Sequence, residues 1–276
     1  MQECVILSDT KALKHTIMKQ LLTFFVLLTT TISIAQSRFD TVEIKLEKLS
    51  DNVYVLFGAG GNIGVSVGDD GVFVIDDQFA PLSEKILTAI KTLSDKPLQF
   101  LVNTHWHGDH TGGNENMAKA GATIIAHDNV KIRLLNPRRD GSSNPKEVLP
   151  VITFNDKLNI TINGEPIAVF HVANAHTDGD ALLYFTGSNV LHTGDTYFKG
   201  RYPYIDLNSG GSVRGYIEAA KRGLMVIDDN TKIIPGHGTV SNKEEYQSFL
   251  KMLETLKANI SQAIADGKTE DKVKAD

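Results

Sequence analysis

The hydrophobic pattern begins with three short apolar runs that are rich in β-branched residues. They cover residues 53–57, 63–67 and 72–75, and glycine-rich stretches separate them at residues 58–62 and 68–71. Short β-branched segments bounded by turn residues are typical of strands joined by tight connections. The pattern therefore predicts an antiparallel meander in this part of the chain.

Beyond residue 80 the spacing of apolar residues changes repeatedly between the periods of helices and strands. Residues 81–94 have apolar side chains at helical spacing, and residues 100–103 form a short apolar run typical of a buried strand. Residues 136–150 are the longest predicted loop, and residues 267–276 are expected to fray. No Pro/Ser-rich linker interrupts the alternation, which predicts one α/β domain. Further strands are predicted at residues 123–126, 168–172, 181–185, 190–192 and 232–234, and further helices at residues 213–226 and 243–265.

The first 35 residues have the pattern of a targeting segment rather than of a fold. Met18 and a lysine precede a run of 14 uncharged residues, and small residues stand before a predicted cleavage site after Ala35. The run is shorter than the roughly 18 apolar residues that a membrane-spanning helix needs. We therefore expect a leader at residues 1–35, with a signal peptide at 18–35 and translation starting at Met18. The mature domain, residues 36–276, is expected to be exported to the periplasm or secreted, without stable insertion in a membrane.

Charge and cysteine content narrow the function classes. The chain has 28 Lys and Arg against 33 Asp and Glu, and a formal net charge of −5. Neutralising phosphates requires a basic excess, so a small-molecule substrate is the expected partner and a nucleic acid is not. The one cysteine, Cys4, lies in the predicted leader. A metal site in the mature domain must therefore use His, Asp and Glu. The sequence leaves the oligomeric state open.

Four candidate metal ligands lie within six residues, immediately after the predicted strand at 100–103. The segment reads His-Trp-His-Gly-Asp-His from His105 to His110. At a strand end residues i and i+2 point the same way, so His105 and His107 can bind one ion. A turn at the glycine would direct Asp109 and His110 elsewhere, which predicts two adjacent ions. Imidazole and carboxylate ligands suit zinc best, with iron or manganese as alternatives.

The hexapeptide resembles the first metal-binding motif of the metallo-β-lactamase superfamily, and three later segments resemble the motifs that follow it. These segments are Ala-His-Thr-Asp-Gly-Asp at 175–180, His-Thr-Gly-Asp-Thr at 192–196 and Pro-Gly-His-Gly at 235–238. The resemblance covers about residues 49 to 238 and implies a four-layered αβ/βα sandwich. It implies two zinc ions whose ligands are His105, His107 and His176 for the first, Asp109, His110 and His237 for the second, and Asp195 as the bridge.

These metals would supply the nucleophile. Zinc coordination lowers the pKa of water from 15.7 to about 7, so we expect a hydroxide held between the two ions to attack a carbonyl group. Asp109 is expected both to bind metal and to take or return a proton. Asn208 is a candidate contact for the oxyanion, with a simple turn as the alternative. Lys199 and Arg201 are candidates for binding a substrate carboxylate, with exposed surface charges as the alternative.

Several residues near the motifs receive other interpretations. His127, His171 and His192 lie on or beside predicted strands and are interpreted as structural, although His171 is close enough to His176 to be mistaken for the ligand. Asp76 follows the strand at 72–75 and is expected either to orient a ligand histidine or to form a turn. Trp106 is expected to pack or to line the mouth of the site.

Three functions remain open. The favoured one is an exported dinuclear zinc hydrolase of the β-lactamase type, which would cleave a cyclic amide or ester. Many class B β-lactamases have Cys where this chain has Asp195, and the complete His/Asp set is more similar to glyoxalase II and lactonases. Hydrolysis of a lactone or thioester is therefore the second function. The third is an iron-dependent persulfide dioxygenase, because such members of the superfamily share the hexapeptide.

Overall fold

Seven strands form the first sheet of the computed structural model, which describes residues 38–137 and 141–275. Neighbours pair antiparallel from β1 to β4, which confirms the predicted meander, and pair parallel from β4 to β7. The carboxyl ends of β4, β5 and β6 therefore lie along one edge. The strands are β1 (Lys45–Lys48), β2 (Val53–Phe57), β3 (Ile63–Gly68), β4 (Gly71–Ile75), β5 (Leu98–Asn103), β6 (Thr123–His127) and β7 (Ile152–Phe154).

Five strands form the second sheet, in the order β12-β11-β10-β9-β8. All neighbours pair antiparallel except β11 and β12, which are parallel. Parallel pairing places the carboxyl ends of β11 and β12 side by side. The strands are β8 (Lys157–Ile162), β9 (Glu165–His171), β10 (Ala181–Phe185), β11 (Val190–His192) and β12 (Lys232–Ile234).

Helices cover the outer faces of both sheets. Helices α3 and α4 contact β6, and α5 packs against α6. Side chains cap both long helices, because Ser212 accepts a hydrogen bond from the Gly215 amide and Asn242 accepts one from the Glu245 amide. The helices are α1 (Ser83–Lys91), α2 (Gly108–Thr111), α3 (Asn114–Lys119), α4 (Asp128–Leu134), α5 (Val213–Val226), α6 (Lys243–Ala265) and α7 (Glu270–Ala275).

Alternating side chains of the strands build two separate hydrophobic layers. Phe73 and Leu183 belong to the core between the sheets, where the rings of Phe73 and Phe185 meet edge to face at 6.1 Å. Leu182, one residue before Leu183, packs in the other layer with Tyr216 of α5 and aromatic residues of α6. Because successive strand residues face opposite sides, one strand serves both layers. The result is the four-layered αβ/βα sandwich that was predicted.

The structure also has elements that the pattern did not predict. Strands β1, β7 and β8 and helices α2, α3 and α4 were missed, and the expectation of a frayed tail at 267–276 was wrong because α7 occupies Glu270–Ala275. This helix is exposed, and a Lys274–Glu270 ion pair of 2.6 Å spans one of its turns. Short charged helices have no apolar periodicity from which to predict them.

Residues from Glu43 onward form one compact unit. The predicted signal peptide falls outside the described residues. Within the described part of the chain, no helix is long and apolar enough to cross a membrane.

Candidate metal centre

The hexapeptide forms the turn between β5 and α2. Asp76, at the end of β4, accepts hydrogen bonds of 2.7 Å from both the amide and the hydroxyl of Thr104. Asn103 donates its side-chain amide to the carbonyl of His110, so the turn is held at both of its ends. Its imidazoles therefore have little freedom to move, and His105 and His110 are buried.

The remaining candidate ligands follow strands of the second sheet. His176 comes after β9, Asp195 lies on a single 3₁₀ turn after β11, and His237 comes after β12. Gly236 packs so closely against the turn that a Cβ there would lie 2.0 Å from Asp195 Oδ1. The Gly236 amide donates to the carbonyl of Gly194, which ties the segments carrying Asp195 and His237 together.

Three imidazoles form what we call the first donor group: His105, His107 and His176. Their ligand atoms all lie within 4.8 Å of one another. His107 Nδ1 and His176 Nε2 are 2.8 Å apart. Three nitrogens at this spacing can contact one cation.

The second donor group consists of Asp109, His110 and His237, whose ligand atoms also lie within 4.8 Å of one another. Asp109 Oδ2 is 3.3 Å from His237 Nε2 and 3.8 Å from His110 Nε2. Two imidazoles and a carboxylate therefore face a common point on the other side of Asp195.

Asp195 lies between the two groups and reaches both of them. Its Oδ1 is 3.0 Å from His110 Nε2, and its Oδ2 is 3.4 Å from His237 Nε2 and 3.5 Å from His176 Nε2. His105 Nε2 lies 3.9 Å from the same Oδ2. One carboxylate could thus contact two cations held by the two groups.

The fit of these residues to a metal can be tested on the buried polar atoms at the centre of the site. His105 Nε2, His110 Nε2 and Asp195 Oδ1 are buried and make no hydrogen bond within residues 38–137 and 141–275. His110 and Asp195 are close, but not in a hydrogen-bonding orientation. A buried polar atom without a partner costs roughly 1–3 kcal/mol, so a cluster of them calls for a ligand that binds nitrogen and oxygen together. A divalent cation meets that requirement, and the donor set fits it.

The outer nitrogens of the ligand histidines have partners that fix the rings. His107 Nε2 is 2.9 Å from Asp206 Oδ2, and His176 Nδ1 donates to the carbonyl of Tyr204 at 2.7 Å. His110 Nδ1 is 2.7 Å from Asp76 Oδ2, so the structure gives Asp76 the geometry of an orienting residue. Such partners direct the inner nitrogen towards the metal. The roles of Asp206 and Tyr204 were not predicted, and no local sequence signal indicated them.

The candidate ligands differ in the direction in which their surroundings shift their pKa values. Burial, reinforced by the neighbouring histidines, holds the pKa of His105 well below its ordinary value, and burial lowers the pKa of His176 to about 4. Burial also opposes a charge on His110, but the carboxylates of Asp195 and Asp76 outweigh it and raise that pKa well above the ordinary value. Burial acts against the charged form of Asp195 too, yet the surrounding histidines, His110 first, hold its pKa well below the usual range.

The structure separates Lys199 from the two other candidates for substrate contact, Arg201 and Asn208. Lys199 Nζ lies 2.8 Å from Glu245 Oε2 and donates to the carbonyl of Val240, so its charge is compensated within the fold. Arg201 is exposed, and its guanidinium lies 5.1 Å from the ring centre of Phe198. Asn208 is exposed on a 3₁₀ turn, where its backbone amide donates to Asp206 Oδ1.

The histidines interpreted as structural belong to none of the donor groups among the described residues. His171 donates Nδ1 to the carbonyl of Asp180 and stacks on His127 at 3.9 Å. His192 is buried, hydrogen-bonds the carbonyl of Asn62 and accepts the amide of Gly194. Hydrogen bonds and stacking within the fold account for these three side chains.

A family model described as metallo-beta-lactamase superfamily matches residues 57–258. The chain belongs to the metallo-β-lactamase superfamily. Members of this superfamily are metal-dependent hydrolases, and the two donor groups are the candidate metal sites of this member. The matched region contains all seven candidate ligands.

Several curated relatives of the superfamily are similar to the chain. The "2,4-dinitroanisole O-demethylase subunit alpha" of Nocardioides is 24% identical over 72% of this chain and 59% of its own length. The "Hydroxyacylglutathione hydrolase" of Pelagibacter ubique is 31% identical over 54% of this chain and 56% of its own length. The chain thus spans less than two thirds of these relatives. The "Metallo-beta-lactamase type 2" of Bacteroides fragilis is 23% identical over 73% of this chain and 82% of its own length.

Solved structures show the same fold. A metallo-beta-lactamase from Pontibacter korlensis has a TM-score of 0.65 and 20% identity, and the match covers 77% of this chain and 99% of that one. The DIM-1 metallo-beta-lactamase has a TM-score of 0.65 and 19% identity, with 78% and 99% covered. At such identities the likeness shows the fold alone.

Proposed function

We propose that the chain is an exported, dinuclear zinc hydrolase that cleaves a cyclic amide or ester bond in a small molecule, in the manner of a β-lactamase. The observation that carries the proposal is the pair of donor groups with Asp195 between them. Nitrogen and carboxylate ligands without thiolate favour zinc. Export rests on the leader pattern at residues 1–35.

Zinc ions bound at both groups would lower the pKa of water and polarise the scissile carbonyl. His105, His107 and His176 would hold one ion, and Asp109, His110 and His237 the other. Asp195 would contact both and fix their separation. The orienting partners of His107 and His110, Asp206 and Asp76, would keep this arrangement unchanged during turnover.

Asp109 is the residue we assign to proton transfer. Burial would raise the pKa of its carboxyl group, but the hydrogen bond from His237 and the charge of His110 lower it, so the group is ionised at neutral pH. Its side chain is 29% exposed, more than any other ligand, and a substrate leaving group can therefore approach it. Asn208 is our candidate donor to the oxyanion.

The substrate carboxylate would meet Arg201 rather than Lys199. Lys199 is paired with Glu245, whereas Arg201 lies over Phe198, and the Phe198 ring stacks on His237 at 5.1 Å. Arg201 is thus an exposed cation placed near the second donor group. An anionic group of the substrate could bind there while its carbonyl lies between the groups.

A lactone or thioester is the second candidate substrate. Asp195 stands where many β-lactamases have a cysteine, and the 31% identity over 154 residues to a protein named as a hydroxyacylglutathione hydrolase favours this option. That relative acts on a thioester according to its name, and the chain aligns with 56% of its length.

Turnover assays on the purified, zinc-loaded protein test the proposal. We would offer a chromogenic cephalosporin, an acyl-homoserine lactone and a thioester, each with and without a chelator. Chelator-sensitive hydrolysis of the cephalosporin supports the β-lactamase-like function, and hydrolysis of only the lactone or thioester supports the second candidate. If none of the three substrates is hydrolysed and the expressed protein contains one iron per chain, zinc hydrolysis would be overturned and persulfide oxidation favoured. The amino-terminal sequence of the exported protein tests cleavage after Ala35.

A further inference from the structure

Exposed apolar side chains lie directly beside the first donor group. The Tyr204 ring centre is 5.8 Å from that of His176 and 6.2 Å from that of His107, yet 60% of Tyr204 is exposed. Leu207 is 74% exposed on the next turn of the same segment. Large apolar side chains exposed together are a common mark of an interaction or ligand-binding surface.

The backbone of Tyr204 is fixed to the metal centre. Its carbonyl accepts hydrogen bonds from His176 Nδ1 at 2.7 Å and from the buried hydroxyl of Tyr216 at 2.9 Å. The Tyr216 hydroxyl also donates to the carbonyl of Asp195. The backbone from which the tyrosine ring extends is thus anchored beside the ligands, which keeps the ring within reach of the first donor group.

Leu207 is fixed through a different ligand. It begins the 3₁₀ turn that Asp206 caps, because Asp206 Oδ1 accepts the amides of Asn208 and Ser209. The other carboxylate oxygen of Asp206 is 2.9 Å from His107 Nε2. Tyr204 and Leu207 therefore flank a residue that orients a candidate ligand.

The surroundings of the first donor group are aromatic and lack a net positive charge. Trp106 lies 4.9 Å from the ring of His107. The nearby Arg133 lies 5.7 Å from the Trp106 ring centre but is paired with Asp178 through two hydrogen bonds of 2.7 Å. An apolar substituent would be bound here more favourably than an anionic one.

We propose that Tyr204 and Leu207 form an apolar rim that binds the alkyl or aryl acyl group of the substrate beside the first donor group. Tyr204 is then a specificity-determining residue, and the favoured substrates are acyl compounds with a nonpolar substituent next to the scissile carbonyl. The inference rests on the proposed function, because it names the acyl side of the bond that this site would hydrolyse.

The binding of simple carboxylates tests the apolar rim without requiring turnover. Trp106 is the one tryptophan of the chain, so its fluorescence reports on ligands that reach the first donor group. The zinc-loaded protein would be titrated with acetate, butyrate and hexanoate. A fully buried CH₂ group strengthens binding about fourfold, so hexanoate should bind more than about tenfold tighter than acetate.

Tyr204→Ala and Tyr202→Ala form a matched pair of variants. Both tyrosines are exposed, at 60% and 70%, and the Tyr204 carbonyl that holds His176 survives the substitution. Tyr204→Ala should reduce the hexanoate-to-acetate preference at least about threefold, whereas Tyr202→Ala should leave it unchanged. Tyr204→Phe should keep the preference, because the ring and not the hydroxyl makes the contact.

Hexanoyl and acetyl thioesters of one thiol supply the second readout. The ratio of their kcat/KM values should exceed one for the unaltered protein and fall in Tyr204→Ala. Turnover without chain-length preference, or equal effects of the two alanine variants, would overturn the rim and leave hydrolysis standing. Chain-length-dependent binding with no turnover of any substrate would support the rim and overturn the proposed function.

Discussion

The two donor groups differ in how their side chains are held. In the first group, Asp206 orients His107 and the Tyr204 carbonyl orients His176. In the second, Asp76 orients His110, but Asp109 and His237 lie 3.3 Å from each other. His237 is also contacted by Asp195, between the groups, and by the stacked ring of Phe198. The first group therefore has more orienting hydrogen bonds from the rest of the fold.

The groups also differ in their protonation before any cation binds. Burial keeps His105 and His176 neutral by lowering each pKa. The pKa of His237 is raised although burial opposes it, because Asp109 and Asp195 stabilise the charged ring. The pKa of His110 is raised in the same way by the carboxylates of Asp195 and Asp76. A metal must displace protons from the second group, so we expect the first group to bind its ion more tightly.

The largest expected effect comes from removing a ligand of the first group. His107→Ala should lose the tighter ion and lower activity more than about a hundredfold, because losses of orienting residues alone cost about 10–100-fold. Metal analysis and turnover together measure it. His171→Ala is the matched control and should retain both metal and activity, since His171 hydrogen-bonds Asp180 and stacks on His127. Loss of a metal equivalent in the control would mean that the wrong histidine has been assigned.

Gly61→Ala should damage only the second group. A Cβ at Gly61 would lie 2.0 Å from the imidazole of His110, which is buried and held by Asp76 and cannot move away easily. Overpacking of this kind costs about 1–3 kcal/mol, which would correspond to about 5–150-fold in affinity for the weaker ion. Equilibrium dialysis of zinc would show it.

Gly108→Ala is the control for Gly61→Ala. It changes a glycine of the hexapeptide itself, and a Cβ there meets nothing within 4 Å. Equal loss of zinc from both glycine variants would show that the effect is not specific to His110.

The contrast between the groups was only partly predictable from sequence. His105 to His110 are adjacent along the chain, so their spacing alone indicated a metal site. His176, Asp195 and His237 each stand alone in their segments, and only the resemblance of the surrounding motifs singled them out. Nothing in the local pattern prefers His176 to His171, five residues earlier.

The orienting contacts lay beyond sequence reasoning for a physical reason. Asp206 and His107 are 99 residues apart. The partner of His176 is a backbone carbonyl, a group that every residue has, so no residue type marks the position. The missed strand β1 is similar in kind, since all four of its residues are exposed and its sequence has no apolar face. Elements and ligands marked by a strong apolar period or a compact motif were predictable, whereas contacts between residues far apart along the chain were not.

Asp206→Asn tests the difference between the two donor groups without removing a metal ligand. The amide keeps the size of the side chain but loses the charge that stabilises the His107 ring in its orientation, so the first-group affinity for zinc should fall about 10–100-fold. The second group should be unaffected, because Asp206 contacts neither Asp109 nor His237. Competition with a chelator of known affinity would resolve the two binding steps. A loss confined to the weaker step would reverse the order of the groups.

The smallest effect, and the most direct test of the protonation argument, is the response to pH. His110 and His237 have raised pKa values, so they hold protons at and below about pH 6.5 and compete with the metal there. His176, with a pKa of about 4, stays neutral over this range. Lowering the pH from 6.5 to 6 should therefore weaken binding of the second ion about threefold for each proton displaced, and binding of the first ion less. Calorimetric zinc titrations in buffers of different ionisation enthalpy count the released protons. Equal proton release in both steps would contradict the difference between the donor groups.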